Sequence, residues 1–299
     1  MPELPDVEVY LECLRRRAQN AVLEKVIVHS PFLLRTYEPK LDAAFGARIV
    51  SFRRLGKRLV LELSNDLRLV LHLMIAGRLL WRARRARFAR STLADFMTDR
   101  GCLHLTEAGT KRRAALLVVK GDAGEKALAR SGVEPLSCTQ QQFIEALRRE
   151  NHTLKRTLTD PDLFSGIGNA YSDEILHRAR LSPTALSQKL GDAEAARLHE
   201  STVAVLREWT KRLLDDVGDG WPEKVTAFRP EMAVHGKYGQ PCPECGAEVQ
   251  RIVHADNETN YCARCQTGGK LLADRALSQL LKADWPRTLD ELEERRATR

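Results

Sequence analysis

The sequence predicts an α+β protein of several domains, in which a β-sandwich is followed by helices and then by a small cysteine-rich module. From Lys25 to about Val119, apolar residues alternate with a period of two, as in strands with one buried face. After Gly132 the apolar spacing becomes helical. Four cysteines then cluster between positions 242 and 265. Many strands followed by many helices are typical of an α+β architecture.

The length, charge and cysteine count of the chain limit which partners and cellular compartments it can have. The 299 residues are enough for two or three compact units, and the formal net charge of +8 favours a polyanion such as nucleic acid. No apolar run reaches the roughly 20 residues needed to span a bilayer, and the acidic start differs from a signal peptide. We therefore predict a cytoplasmic protein without a membrane partner. The seven cysteines are an odd number, which argues against a disulfide framework.

The chain begins Met1-Pro2-Glu3, and this start is a candidate catalytic site. Removal of Met1 would give Pro2 a free secondary amine beside the Glu3 carboxylate. At pH 7 an α-amino group needs only about 1 to 1.4 kcal/mol to lose its proton, against roughly 4.6 kcal/mol for an ordinary lysine. Such an amine is a ready imine-forming nucleophile. The simpler alternative is a frayed terminus, but helical spacing from Val7 to Ala18 predicts a helix that would order it.

Within the predicted sandwich, leucines at alternate positions from Leu59 to Leu73, interrupted by the turn Ser64-Asn65-Asp66, predict a hairpin. Further strands are predicted at Val26–Val28, Ile49–Phe52, Leu79–Trp81, Cys102–Leu105 and Ala114–Val119. Lys57 lies at the mouth of the hairpin, where it could reach a phosphate or a reacting sugar. Two basic stretches, 81–90 and 110–113, either neutralise phosphates or form solvated faces.

In the helical part, Phe143 to Leu147 begins one helix, and a later, longer helix carries a buried stripe. That stripe comprises Leu198, Val205, Leu206, Trp209 and Leu213. Between them, Gly166-Ile167-Gly168-Asn169 precedes a helical pattern, and a helix start of this kind can hold a phosphate. An ordinary interhelical turn is the alternative reading.

The spacing Cys242-x2-Cys245-x16-Cys262-x2-Cys265 matches a tetrahedral zinc site carried by two knuckles and a β-hairpin. Four thiolates leave no position for a catalytic water, so the predicted role of this one zinc ion is structural. The zinc would stabilise a module too small for its own core. Beyond it, Leu271–Leu281 could be a helix, Trp285-Pro286 a turn, and 289–296 a charged helix or a disordered end.

Together these features resemble the formamidopyrimidine-DNA glycosylase and endonuclease VIII family of base-excision repair enzymes. The resemblance covers residues 1 to about 266 and rests on five motifs in a consistent order. They are Pro2-Glu3-Leu4-Pro5, Gly56-Lys57, His72-Leu73 with Ala76-Gly77, Gly166-Ile167-Gly168-Asn169-Ala170-Tyr171, and the four cysteines. The family implies a catalytic β-sandwich at 1–134, a helix-two-turn-helix domain at 135–230 and a zinc finger at 231–267. Residues 268–299 would form a tail.

The resemblance also implies a role for individual residues. Pro2 would attack C1′ of a damaged nucleotide, displace the base and form an imine, while Glu3 provides general acid/base catalysis. Elimination from the imine would then nick the strand. Lys57 matches a lysine near the lesion, and Lys155 and Asn169 match phosphate-holding positions. The implied DNA-binding set is completed by Ile75, Lys111, Arg112, Arg113, Tyr171 and Asn257.

The chain departs from the family pattern at four places. Ile75 occupies the position of a methionine that fills the gap left by the flipped base. The loop 107–113 replaces one whose arginine and phenylalanine enter the opposite strand, and Asn257 replaces a phosphate-binding arginine. The segment between Val217 and Ala233 is short for a loop that covers oxidised purines.

The leading hypothesis is therefore a monomeric DNA glycosylase with strand-nicking lyase activity, acting on damaged double-stranded DNA and associated with a bacterial-type nucleoid. Two alternatives stay open. The departures favour a catalytically weak or inactive damaged-DNA binding protein of the same fold. A zinc-ribbon protein acting on another nucleic acid such as RNA is the third possibility.

Overall fold

A computed structural model describes residues 1–83, 89–109, 111–254, 257–272 and 286–297. The chain divides into two compact units. The first comprises Met1–Arg130 with Glu208–Thr226, and the second comprises Ser131–Arg207 with Ala227–Arg299. These two units are discontinuous in sequence, whereas the predicted domains are continuous segments. The domain boundaries drawn from the sequence therefore stay a prediction.

The first helix, α1 (Leu4–Ala18), begins directly after Glu3, which is its N-cap residue. Pro5 and Asp6 suit the first turn, where backbone N–H groups are unpaired, and arginines fill the last turn. The apolar face of α1 packs into the core of the first unit. The predicted helix at the chain start is thus confirmed, and it fixes the terminus to a packed element.

The described residues of the first unit form eight strands after α1. They are β1 (Leu23–Val28), β2 (Ile49–Leu55), β3 (Arg58–Leu63), β4 (Leu67–His72), β5 (Gly77–Arg82), β6 (Thr92–Thr98), β7 (Gly101–Glu107) and β8 (Ala115–Lys120). One antiparallel sheet has the order β1-β6-β7-β5 and the other β2-β3-β4-β8. Alternate residues of both sheets enter one shared hydrophobic cluster. The predicted sandwich is therefore confirmed.

The predicted leucine hairpin is β3 and β4, with Leu61 opposite Leu69. Strand β6 was missed because its residues are buried on both faces and show no alternation of polarity. Of the first basic stretch, residues 84–88 lie outside the described part of the chain.

Helices dominate the next part of the chain. After α2 (Gly121–Lys126) come α3 (Gln140–Arg148), α4 (Leu154–Thr159), α5 (Asn169–Arg178) and α6 (Asp192–Val217). Helix α6 contributes residues to both units, and the predicted stripe from Leu198 to Leu213 is buried. Within the described residues, no helix combines the length and apolar composition required to cross a membrane.

The cysteine-rich module consists of the hairpin β9 (Val249–His254) and β10 (Asn257–Cys262), followed by α7 (Ala263–Thr267). Its small core is built around Val249 and Tyr261. The predicted charged helix near the end of the chain is α8 (Leu289–Ala297). Most of the helix predicted at Leu271–Leu281, and Trp285 of the predicted turn, lie outside the described residues.

Candidate active site and nucleic-acid interface

The chain start is an ordered part of the first unit. Pro2 is buried, and Glu3 is only 3% exposed. The backbone N–H of Glu3 donates to the Asp6 carboxylate at 2.9 Å, and the Val7 N–H donates to the Glu3 carbonyl at 3.0 Å. These bonds fix the first residues to the first turn of α1. A nucleophile at position 2 would therefore have a defined position beside a buried carboxylate.

The surroundings of the terminus favour a neutral amine. Burial lowers the pKa of the Met1 ammonium group, and the positive charges of Arg78 and Lys57 lower it further, whereas Glu3 and Asp6 oppose the shift. Lys57 occupies the turn between β2 and β3. The structure thus brings Lys57 into the electrostatic environment of the chain start. It is the same environment in which an amine at position 2 would lie.

Ile75 is held on a tight turn between β4 and β5. The Gly77 N–H donates to the Leu73 carbonyl at 2.9 Å, and Met74 adopts a left-handed backbone conformation with φ of 53°. The Arg78 guanidinium donates to the Ile75 carbonyl at 3.1 Å. On this hydrogen-bonded turn, the Ile75 side chain is 59% exposed. An exposed apolar side chain held this way can be inserted between bases.

The basic loop Lys111, Arg112 and Arg113 is exposed and anchored at its base. The buried Glu107 carboxylate accepts the backbone N–H groups of Arg113 at 2.9 Å and Ala114 at 3.0 Å. The loop therefore presents three cations from a fixed base, as phosphate binding requires.

In the second unit, Lys155 and Asn169 lie together. The Lys155 ammonium donates to the Asp173 carboxylate and to the Asn169 carbonyl, both at 2.6 Å. The side chain of Lys155 is 13% exposed and that of Asp173 is 0% exposed. The Asn169 amide donates to the Glu258 carbonyl of β10 at 2.9 Å. Sequence reasoning named Lys155 and Asn169 but missed Asp173, whose ion pair with Lys155 is almost entirely buried.

Two further predicted DNA-binding residues differ in exposure. Tyr171 is 1% exposed, on the buried face of α5, so its side chain belongs to the core of the second unit. Asn257 is exposed at the first residue of β10.

A buried polar network connects α5 with the segments around the hairpin. Asp173 accepts from His235 Nδ1 at 2.8 Å and from the Asn260 N–H at 3.2 Å, in addition to Lys155. Glu174 accepts three backbone N–H groups of residues 233–235 at 2.8 to 2.9 Å. No periodicity signals the contacts of α5 with the 233–235 segment and β10, because those partners are 59 to 87 residues apart along the chain.

The four cysteines converge as predicted. The Sγ atoms of Cys242, Cys245, Cys262 and Cys265 lie within 4.8 Å of one another, on two knuckles flanking the β9–β10 hairpin. His177 Nε2 of α5 lies 3.3 Å from Cys242 Sγ. Four sulfur ligands satisfy tetrahedral zinc completely. The module therefore holds one zinc ion with a structural role.

The fold and these sites define a class of protein with three domains. Comparison with known sequences identifies each domain. Residues 1–115 match the formamidopyrimidine-DNA glycosylase N-terminal domain, residues 131–212 match the H2TH domain of the same enzymes, and residues 239–268 match the zinc finger found in FPG and IleRS. Formamidopyrimidine-DNA glycosylases from Heliobacterium modesticaldum and Thermus thermophilus are each 34% identical to this chain. These alignments cover 89% and 90% of this chain and 100% of each relative.

Solved structures give the same result. The MutM (Fpg) protein of Thermus thermophilus has a TM-score of 0.75 and 32% identity, covering 89% of this chain and 98% of that one. A Lactococcus lactis Fpg mutant in complex with DNA containing Fapy-dG has a TM-score of 0.77 and 26% identity, covering 89% and 100%. The chain belongs to the formamidopyrimidine-DNA glycosylase family.

Proposed function

We propose that this chain is a DNA glycosylase of base-excision repair that also acts as an abasic-site lyase, with Pro2 as the nucleophile after removal of Met1. The observation that carries the proposal is the buried chain start, where Glu3 lies at the N-cap of α1 and Asp6 fixes its backbone. A binding protein has no evident need for an amine and a carboxylate at such a position.

In the proposed reaction, the unprotonated Pro2 nitrogen attacks C1′ and the bond from C1′ to the damaged base breaks. A buried amine is more easily deprotonated, because desolvation disfavours the charged form. Glu3 moves the proton that ring opening of the sugar requires, and the resulting imine acidifies the adjacent carbon. Loss of that proton expels the 3′ phosphate and nicks the strand. Lys57, which shares the environment of the terminus, would stabilise negative charge that develops there.

Each of the two units contributes its own proposed DNA contacts. Ile75 would fill the space left by an extruded nucleotide, and the loop 111–113 would neutralise phosphates. Lys155, Asn169 and Asn257 would contact the lesion strand, with Tyr171 supporting α5 from within. Binding of damaged DNA by the Lactococcus lactis relative supports this assignment. We also propose that the chain acts as a monomer in the bacterial cytoplasm; the location is supported by its named relatives, which are bacterial.

Borohydride trapping on duplex DNA with an abasic site tests the mechanism. The N-terminus is first checked by mass spectrometry, and the adduct is then mapped by peptide sequencing. We expect a covalent adduct at Pro2 in the natural chain. The Glu3→Gln variant should form the adduct and turn over far more slowly. The Pro2→Gly variant has a primary instead of a secondary amine at its terminus, so both the chemistry of its adduct and the rate of trapping should change. Glu12→Gln, on the same helix but paired with Arg16 at the surface, is the matched control and should behave like the natural chain.

The absence of an adduct, with Met1 removed and DNA binding intact, would contradict the lyase proposal. It would favour the second candidate, a damaged-DNA binding protein without efficient turnover. Two observations give that candidate some support. Lys155 is already paired with a buried carboxylate, and Asn257 carries no charge where the resemblance implies an arginine.

A further inference from the structure

A second group of metal-binding side chains lies in the first unit, far in sequence from the four cysteines. It consists of His29, Asp95, Cys102 and His104, and we call it the His-Asp-Cys cluster. Ala94 and Phe96, the neighbours of Asp95 on β6, belong to the sandwich core. Side chains alternate along a strand, so Asp95 points to the opposite face of its sheet.

The same alternation places Cys102 and His104 of β7 on that outer face, since Leu103 and Leu105 enter the core. Asp95 is directly opposite His104 in the β6–β7 register, and Cys102 is opposite Met97. His29 follows β1, and its backbone N–H donates to the Leu93 carbonyl at 2.8 Å. Three adjacent strands therefore bring nitrogen, oxygen and sulfur ligands together.

The ligand atoms are close enough to share one ion. One oxygen, one sulfur and one nitrogen of Asp95, Cys102 and His104 lie within 4.8 Å of one another. Cys102 Sγ is 4.0 Å from His104 Nδ1, and His104 Nδ1 is hydrogen-bonded to Asp95 Oδ1. His29 Nε2 lies 2.6 Å from the other carboxylate oxygen, Oδ2.

Burial separates this cluster from ordinary surface polar groups. Asp95, Cys102 and His104 are all buried, whereas the side chain of His29 is 24% exposed and gives a route from solvent. Ionisation of the Cys102 thiol would place a second anion beside the buried Asp95 carboxylate, and a bound cation would balance both charges. Buried polar side chains are retained at a cost unless they are paired or bind a metal.

We propose that the His-Asp-Cys cluster is a second zinc site, with Asp95 Oδ1, Cys102 Sγ and His104 Nδ1 as ligands. Thiolate, imidazole and carboxylate are the three ligand types that zinc takes in proteins. His29 holds the second oxygen of Asp95, as groups behind metal ligands commonly do. On binding, the Cys102 thiol proton leaves to solvent, and His104 binds through an unprotonated Nδ1 with its ring proton on Nε2. Two protein anions then balance the charge of Zn²⁺.

This site differs in kind from the four-cysteine site. Three protein ligands leave one coordination position for water or another small ligand, whereas four thiolates leave none. Zinc there would join β6 to β7 and, through His29, to the end of β1. The competing explanation is a metal-free chain of hydrogen bonds in which Asp95 bridges two imidazoles. That explanation gives the Cys102 thiol no function and predicts no metal binding.

The test is the zinc content of the full-length chain. Purified protein is equilibrated with a small excess of ZnCl2, separated by gel filtration and measured by inductively coupled plasma mass spectrometry. We expect one zinc ion for the four-cysteine site and a second for the cluster in the natural chain. Cys102→Ala and His104→Ala should each lose one ion. Cys138→Ser, a cysteine outside both groups, is the matched control and should retain both.

The natural chain tests the proposal even if a variant fails to fold. A single zinc ion per natural chain, with circular dichroism showing folded protein, would overturn it. Two ions in both Cys102→Ala and His104→Ala would overturn it equally, because the second ion would then be bound elsewhere. Since zinc displaces the thiol proton, occupancy of the second site should also fall as pH is lowered, and a pH-independent second ion would contradict the assigned ligands.

Discussion

The buried ion pair between Lys155 and Asp173 allows a quantitative prediction about the second unit. Asp173 is completely buried and accepts hydrogen bonds from Lys155 at 2.6 Å, His235 at 2.8 Å and Asn260 at 3.2 Å. The substitution Asp173→Asn keeps the size of the side chain and removes its charge. It leaves the Lys155 ammonium, which is mostly buried, without an anion.

The expected loss follows from that burial. Removing one partner of a buried ion pair typically costs about 3 to 5 kcal/mol, because the remaining charge is uncompensated. For a unit of this size, each kcal/mol lowers the melting temperature by roughly 2 to 4 °C. We therefore expect the melting transition of the second unit to fall by roughly 6 to 20 °C. Adding Lys155→Met should recover part of the loss, because no charge is then left unpaired.

Urea and thermal unfolding followed by circular dichroism provide the assay, and Asp192→Asn is the control. Asp192 pairs with Arg148 at 2.7 Å, but its side chain is exposed to solvent. Exposed pairs contribute about 0 to 1 kcal/mol, so Asp192→Asn should change the free energy of unfolding by no more than that. If Asp173→Asn costs no more than Asp192→Asn, the reasoning from burial is wrong.

Three further predictions concern the turn, the pH response and the zinc. Gly77→Ala should lower the melting temperature more than Gly191→Ala, since an added Cβ lies 2.2 Å from the Leu73 carbonyl oxygen at Gly77 but makes only an ordinary contact of 3.9 Å, with the Glu194 carboxylate, at Gly191; equal losses would contradict this. Burial, then two neighbouring cations, lower the pKa of His72 to about 4. The unfolded state therefore takes up the proton first, and stability should fall by roughly 2 to 3 kcal/mol between pH 6.5 and 4. A His72→Gln variant with the same pH slope in urea unfolding would refute that assignment. Removal of the four-cysteine zinc by a chelator should weaken binding of abasic-site DNA, because the hairpin that the zinc stabilises holds Asn169. Fluorescence anisotropy measures the affinity, which added zinc should restore. An unchanged affinity of the zinc-free protein would exclude this link between zinc and DNA binding.

Local periodicity predicted the elements whose two faces differ. Helix α1, the β3–β4 hairpin and α6 each have one apolar face, and the apolar spacing revealed all three. Strand β6 lacks that contrast. Asp95 is polar yet buried on the outer face of its sheet. The usual rule that polar residues mark the exposed face of a strand therefore fails for β6.

The candidate sites divide in the same way. Motif spacing predicted the four cysteines correctly, and it is also the basis for Pro2 and Glu3, which stay predictions. The chemistry of both groups depends on residues that are close together in sequence. It missed Asp173 and Glu174, because their partners come from distant segments. Spacing also suggested a DNA contact for Tyr171, a position that the fold buries. Tertiary pairing, which no single-sequence pattern records, accounts for these differences.

The structural zinc can influence the residues proposed to bind DNA through the hairpin that it stabilises. A closed four-thiolate site cannot activate water, so its contribution must be mechanical. Strand β10 ends at a zinc ligand and makes two connections to α5. The Glu258 carbonyl accepts the Asn169 amide at 2.9 Å, and the Asn260 N–H donates to Asp173 at 3.2 Å. Asp173 also pairs with Lys155. Loss of the metal would therefore remove the support that β10 gives to Asn169 directly and to Lys155 through Asp173.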